Sequence, residues 1–302
     1  MSVPWGLSDT AAELHAPTDT DDKYRRGVVG IRTGSEQYPG AAVLGVEAAW
    51  RTGVGMVRYL GPDRPTGLVL QRRPETVTAS GRVQAWLIGS GTDAATRPPG
   101  EGSALRDILS RPEPVVVDAG ALDLIADGAR EGGVRILTPH DREHDRLRAA
   151  LGLAPVGPDA GDHRVRAAQE TARRTGAVVV LKGARTIVAE PGGWHARVAQ
   201  DGTSWLATAG TGDVLAGVIG AVIAGAAARE ERAGSGGAGG ASADPGMEPW
   251  ARRAAAAVWV HQRAGVRAAQ RAAGGAGAGA GPVTALDVAD ALPAVIAEVL
   301  AG

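Results

Sequence analysis

Between residues 23 and about 222, short apolar runs alternate with segments whose apolar positions recur every three or four residues. The runs Val28–Ile31, Met56–Leu60, Ala85–Ile88, Val115–Val117, Val134–Leu137 and Ala177–Leu181 predict strands. Several are apolar throughout, the pattern of strands covered on both faces. Segments 41–52, 101–110, 121–129, 141–151 and 162–175 predict the helices between them. Such alternation specifies an α/β domain built on a mostly parallel sheet. After Lys182 the period changes, and Thr186–Ala189 and Trp194–Ala199, either side of Pro191-Gly192-Gly193, predict a hairpin. The last third predicts helices over 212–228, 250–271 and 286–300. Gly-rich stretches at 233–246 and 274–282 interrupt them and are expected to be flexible surface insertions. Residues 1–22, polar and proline-containing, are expected to form a mobile N-terminal arm or an edge contact, outside a domain of residues 23–302.

Charge and composition narrow the function. The 302 residues carry 32 basic and 33 acidic side chains, a net charge of -1, which argues against nucleic acid as a partner. There is no cysteine, which removes disulfides, thiolate metal sites and cysteine nucleophiles. Lysine occurs only at Lys23 and Lys182, so a lysine inside a motif stands out. The first twenty residues lack the apolar core of an export signal. The uncharged stretch Val214–Ala228 is shorter than the ~20 residues of a spanning helix. It predicts a buried helix, with no membrane partner and a cytoplasmic location.

Ligands of open parallel sheets gather beyond the carboxyl ends of the strands, and four predicted strands end in small or polar residues. These ends are Gly34–Ala42, Gly89-Ser90-Gly91-Thr92-Asp93, Asp118-Ala119-Gly120 and Thr138-Pro139-His140-Asp141-Arg142-Glu143. A stronger signal is Thr208-Ala209-Gly210-Thr211-Gly212-Asp213, which runs straight into an apolar helix. Small residues there expose successive amides at a helix start, a natural cradle for phosphate. Asp213 would stand beside the transferred group and take a proton from a hydroxyl; alternatively it only offsets the helix dipole. No lysine follows these glycines, so this is not a P-loop, and Gly34–Gly40 is no dinucleotide fingerprint. Lys182 closes a strand beside Gly183, where it can reach phosphate oxygens with Thr186, or else mark a solvated hairpin corner.

His140, with Glu143 and His144, reads as a substrate or phosphate contact, a helix cap, or a transition-metal ligand. The first two readings are the stronger, since a zinc site needs about four ligands. His144 is expected on a helix surface, and His15, His163, His195 and His261 in ordinary surface or packing roles. Asp118 ends a buried strand and needs partners or a cation. Trp205 is a candidate wall of the cleft.

Taken together, these motifs resemble the ADP-dependent (S)-NAD(P)H-hydrate dehydratases of bacterial nicotinamide nucleotide repair. Gly34–Leu44 followed by Ala48–Val57 is similar to the family's opening signature. Asp118–Asp123, Thr138–His140 with Glu143 and Leu147, Leu181–Ala184 with Thr186, and Ala207–Gly217 follow in the family's order. His261, Ala264-Gly265 and Thr284–Asp287 resemble its closing helices. The likeness runs over about residues 22–300, apart from the Gly-rich insertions.

The resemblance implies a ribokinase-like three-layer α/β/α sandwich with a mostly parallel central sheet. It implies a lyase that dehydrates the S epimer of hydrated NADH or NADPH at the expense of ADP, with Mg2+ as phosphate counterion. By position, Asp213 resembles the base, and Gly210, Thr211 and Gly212 the anion hole. Ala41, Gly91, His140 and Asp213 resemble substrate contacts. Lys182, Gly183, Ala184, Arg185 and Thr186, completed by Gly212, resemble the nucleotide-binding stretch. The metal's ligands are not evident.

The family's Gly-Pro-Gly stands here as Gly89-Ser90-Gly91, its Asp-Ala-Asp-Ala-Leu-Asn as Asp118–Asp123, and its Gly-Asn-Pro-Gly as Gly202–Trp205. The resemblance also suggests a homo-oligomer, a tetramer, working with a separate NAD(P)H-hydrate epimerase. Alternatives are a ribokinase-like kinase of a small alcohol, and a catalytically silent nucleotide-binding protein.

Overall fold

In the computed structural model, which describes residues 3–126, 132–156, 162–198, 202–235, 246–275 and 279–302, each central strand arises where the sequence has a run of branched apolar residues. The strands are β1 (Val3–Trp5), β2 (Val28–Arg32), β3 (Met56–Tyr59), β4 (Ala85–Ile88), β5 (Val115–Val117), β6 (Arg135–Leu137), β7 (Val178–Leu181), β8 (Thr186–Ala189) and β9 (His195–Val198). They form one sheet in the order β1-β9-β8-β7-β6-β5-β4-β2-β3. From β3 to β7 all neighbours are parallel; β7-β8-β9 is antiparallel, and β1 lies parallel to β9.

The helices are α1 (Leu7–Glu13), α2 (Gly40–Arg51), α3 (Asp63–Arg72), α4 (Pro99–Leu109), α5 (Asp123–Ala126), α6 (Asp141–Ala150), α7 (Asp162–Thr175), α8 (Thr211–Ser235), α9 (Glu248–Ala272) and α10 (Ala285–Ala301). Successive strand side chains point to opposite faces, and here each face feeds its own core. Val29, Ile31, Leu87, Val116, Val178 and Val180 pack with α2, α8, α9 and α10. Val28, Ile88, Val117, Leu137, Val179 and Leu181 pack with residues of α4, α5, α6 and α7. The result is the expected three-layer sandwich.

Helix α8 is long and apolar enough to cross a membrane, but 83% of its most apolar window is buried in the fold, so it is a core helix. It reaches Ser235, beyond the predicted end at 228, into the first residues assigned to an insertion; residues 236–245 and 276–278 lie outside the described residues. Glycine allows its close approach to α2: a Cβ on Gly217 would strike the backbone oxygen of Gly45.

One alternative is resolved and three expectations are corrected. The segment before residue 23 makes the edge contact and not a free arm: β1 extends the sheet, and the Trp5 indole donates to Thr10 Oγ1 at 2.9 Å and meets Trp194 edge-on. Helix α3 had no counterpart in the prediction, because its inward face is only Pro65 and Val69. The helix expected over 121–129 is a 3-10 turn at Ala119–Ala121 followed by the short α5, with 127–129 outside the described residues. His144 faces inward, 1% exposed, its Nε2 2.9 Å from Thr171 Oγ1. Burial, aided by Arg148, pushes its pKa down to about 4, so it stays neutral.

Candidate active site

Parallel strands that end together deliver their next residues to one edge of the sheet. Asp118 follows β5, Thr138 and His140 follow β6, Lys182 follows β7, and Asp213 stands in the first turn of α8. Asp118 is 2% exposed. Its carboxylate accepts hydrogen bonds from Ser90 Oγ (2.8 Å), Thr138 Oγ1 (2.7 Å) and Lys182 Nζ (2.8 Å). Burial pushes this carboxyl up, but the Lys182 charge and the three donors outweigh it and hold the pKa below its ordinary value. The Lys182 ammonium is also 3.8 Å from Glu143. Burial disfavours that charge, yet Asp118 and Glu143 prevail and raise the lysine's pKa.

The turn into α8 is shaped for close approach. Gly210 has φ of 90°, and a Cβ there would lie 2.6 Å from Leu44 Cδ1 and 3.0 Å from Ala285 Cβ. Thr211 Oγ1 donates to the carbonyls of Leu206 (2.8 Å) and Thr208 (2.9 Å), which ties the turn to the preceding loop. The amides of Gly212 and Asp213 lie in the first turn, where the helix supplies no acceptor. A Cβ on Gly212 would be 3.6 Å from Lys182 Nζ, so the ammonium stands beside this turn. Cation and helix start therefore converge on one point, an arrangement that favours phosphate.

Asp213 carries the site's free carboxylate: its side chain has no hydrogen-bond partner among the described residues. Burial raises its pKa to about 7, the nearby Asp118 and Glu143 charges add to that, and Lys182 opposes them. A carboxyl poised near neutrality is suited to taking a proton.

Two cavities reach this cluster. One of about 400 Å³ is lined by Lys182, Thr186, Thr203, Gly212, His261 and Gln262 among others. It includes Gly183, Ala184 and Thr211 but not Arg185, which is exposed and whose carbonyl accepts from Arg164. A second cavity of about 580 Å³ includes Tyr38, Thr92, Gly120 and Glu143 in its wall. The first touches the cluster through Lys182 and Gly212, the second through Glu143.

The other expected site residues are placed as follows. His140 caps α6: its Nδ1 accepts the Glu143 amide at 3.3 Å, while Glu143 accepts the His140 amide at 2.8 Å. Among the described residues no group of three His, Asp or Glu side chains could hold a metal, so the transition-metal reading of His140 has no support. Ala41 is buried at the start of α2 against Gly91, whose φ of 66° and contact with Ala41 leave no room for a Cβ. Ser90 turns the Gly-Ser-Gly departure into a hydroxyl for Asp118. At Gly120 a side chain would strike the Thr92 carbonyl, so the missing acid has no space here. Thr203 caps the turn at Ser204–Leu206. Trp205 does not line the cavity; Ser204 and Leu206 do, and its indole donates to the Ala280 carbonyl at 3.2 Å.

Sequence reasoning missed two cavity residues. Gln262 donates to Thr186 Oγ1 at 3.4 Å while its own Oε1 lacks a partner, and His261, 6% exposed, has an unpartnered Nε2. Burial pushes His261 down to about 4, against a backbone contact with Thr211. His261 was singled out only through the likeness of the closing helices, and Gln262 not at all.

A sequence model of the NAD(P)H-hydrate dehydratase family matches residues 29–280. The bifunctional NAD(P)H-hydrate repair enzyme Nnr of Mycobacterium tuberculosis is 42% identical over 228 residues, 72% of this chain and 45% of that protein. The protein of the same name from Corynebacterium glutamicum is 42% identical over 221 residues, 69% of this chain and 37% of its own length. The chain thus spans less than half the length of these curated relatives. Among solved structures, the ADP/ATP-dependent NAD(P)H-hydrate dehydratase of Bacillus subtilis, co-crystallized with ATP and Mg2+, superimposes with a TM-score of 0.75 at 25% identity, covering 99% of both chains.

Proposed function

Because this chain belongs to the NAD(P)H-hydrate dehydratase family, we propose that it dehydrates the S epimer of hydrated NADH or NADPH, using ADP and releasing AMP and phosphate. One observation carries the reading: the unpaired Asp213 carboxylate stands in the same helix turn as Gly212, which faces Lys182 in the wall of one cavity, while Glu143, 3.8 Å from that ammonium, lines the other; Asp213 itself lines neither cavity. The cavity beside Lys182, Thr186 and Gly212 takes the nucleotide. The cavity beside Tyr38 and Glu143 takes the hydrated ring. Ala41, Gly91 and His140 do not line it, but Gly91 neighbours it through the Tyr38 carbonyl, His140 through Glu143, and Ala41 packs against Gly91.

Asp213 removes the proton from the ring hydroxyl as its oxygen bonds to the β-phosphorus of ADP and the bond to AMP breaks. The Gly210–Gly212 amides and Lys182 balance the charge on the phosphoryl oxygens in transit. The ring carbon–oxygen bond then breaks with phosphate as leaving group, and loss of a ring proton restores the dihydronicotinamide. Hydroxide leaves poorly and phosphate well, which is why a kinase-like site suits a lyase. Mg2+ shields phosphate charge when bound; it needs only one or two protein carboxylates beside phosphate oxygens and water. Glu143, on the wall of the second cavity, would supply such a carboxylate, as no larger donor set does among the described residues.

The reading includes a cytoplasmic homotetramer and an epimerase that interconverts the R and S hydrates. Its test is incubation of hydrated NADH with ADP or ATP, following the return of reduced-nicotinamide absorbance. Turnover with release of AMP is expected with ADP. Tight ADP binding without turnover would overturn the enzyme reading in favour of a silent nucleotide-binding protein.

A further inference from the structure

Helix α8 carries Asp213 at one end, and about 24 Å along its axis, by 1.5 Å per residue, it carries Arg229. There a second polar cavity of about 290 Å³ opens, at the end of the sheet away from the candidate active site. The entry to β2 forms its other wall. Gly27 has φ of 100°, and a Cβ on it would lie 2.6 Å from the Ala224 backbone, so the strand entry runs directly against α8. This contact brings Arg25 and Arg26 to the same cavity as Arg229 and Arg232, with His15, Thr18, Thr20 and Asp21 completing the polar lining.

The charges in this cavity do not balance. Four guanidiniums face one carboxylate, in a chain whose net charge is -1. Asp21 is taken by Arg232 at 3.1 Å. The Arg25 and Arg26 guanidiniums donate to backbone carbonyls, those of Thr20 (2.8 Å) and Gly53 (2.7 Å), which carry no counter-charge, although the exposed Asp22 carboxylate, held by the Arg25 amide at 2.8 Å, also acts on Arg25. Arg229 has no hydrogen bond or ion pair among the described residues. The nearby acids are committed elsewhere: Glu230 pairs with Arg253 at 2.7 Å and Glu13 with Arg252 at 3.0 Å. Burial and the Arg253 and Arg232 charges lower the pKa of Arg229, and burial with Arg229 lowers that of His15. Burial is the larger cause of both shifts; guanidinium repulsion, partly offset by Glu13 and, at Arg229, by Glu230, adds to it, and a bound anion would relieve that repulsion.

Guanidiniums match phosphate oxygens in pairs of parallel donors. The lining contains no Trp, Tyr or Phe on which a nucleobase could stack, and its volume suits a small ligand. We propose that this cavity binds a phosphate dianion, as free inorganic phosphate or as the phosphate group of a small metabolite, with Arg229 as its principal ligand. The site is independent of the reaction proposed above, and its test needs no turnover.

Amide hydrogen exchange of the full chain is measured while inorganic phosphate, or glycerol 3-phosphate, replaces chloride at constant ionic strength. Saturable protection of segments 15–26 and 225–232 is expected. Arg229→Gln should raise the half-saturating concentration at least tenfold, and the exposed Arg25→Gln severalfold. Tighter binding of glycerol 3-phosphate identifies an esterified ligand, and tighter binding of inorganic phosphate identifies the free ion. Phosphate held at the α8 start would instead protect residues 208–214 and respond to neither substitution. Absence of protection at 15–26 and 225–232, or identical titrations in wild type and both variants, would overturn the proposal.

Discussion

Replacing Asp118 by asparagine keeps the size of the side chain and one acceptor oxygen, for Thr138 or for Ser90 but not both, and removes the charge facing Lys182 at 2.8 Å. Breaking one side of a buried pair costs about 3–5 kcal/mol. Glu143, 3.8 Å from the ammonium, still offers a counter-charge, so the lower end applies, about 3 kcal/mol. At about 2–4 °C per kcal/mol for a large domain, the melting temperature should fall by about 6–12 °C at neutral pH. Because pairing holds the Asp118 pKa below its ordinary value, its stabilisation exists above that value and is lost as pH falls through the lowered one. Wild type and variant should therefore converge in acid.

The same change reaches Asp213. After burial, the Asp118 charge is the largest influence raising the Asp213 pKa to about 7. Without that charge, and with Lys182 released towards Asp213, the base ionises at lower pH. In wild type kcat/KM should rise with pH through about 7; in Asp118→Asn this limb should move to lower pH while its plateau drops, since Lys182 is no longer held. Calorimetric melting and the pH profile of the dehydration assay measure the two effects. A limb that stays in place, with a wild-type melting temperature, would refute the coupling.

Asp213→Asn should keep ADP affinity by calorimetry within a few-fold while turnover falls by about 10²–10⁴. Folding raises the Asp213 pKa to about 7, so the native state loses stability as pH climbs from the ordinary carboxylate value to 7; the same variant should melt higher than wild type at pH about 8. Glu47, fully buried among Arg51, Arg72 and Arg73, has its pKa lowered to about 2 despite burial. Glu47→Gln should lose about 3 kcal/mol in denaturant titrations near neutrality, and the difference should vanish as pH falls from about 4.3 to 2. Gly217→Val would force α8 from α2 and should cost at least about 1–3 kcal/mol, with loss of turnover because the start of α8 moves too.

Much of this molecule was readable as sequence. Val115–Val117 and Ala85–Ile88 are strands with the predicted bounds, because three or four branched or large apolar residues in a row have no exposed face to offer. The site's frame was readable for the same reason: parallel strands must release Asp118, His140 and Lys182 at one edge. The hydrogen bonds of that edge were not. Asp118 takes its partners from 20, 28 and 64 residues away, and no local pattern encodes such pairings. His144 was misplaced because Thr171, the group that satisfies its buried nitrogen, comes from α7. Arg185 was grouped with its neighbours by sequence, yet the corner after β7 puts it outside the cavity that they line. The choice between arm and edge contact stayed open at the N-terminus because the partners of residues 3–13, β9 and α9, come far later in the chain.

That last pairing bears on how the chain assembles. Val3 lies opposite Ala196, and β9 must itself have turned back on β8 before β1 can join it. Closing so long a loop forfeits chain entropy that three strand residues and one indole repay only at the end. The segment through α1 is accordingly the last to dock and the first to open, and its amides should exchange faster than those of β4 or β5 long before the molecule unfolds as a whole.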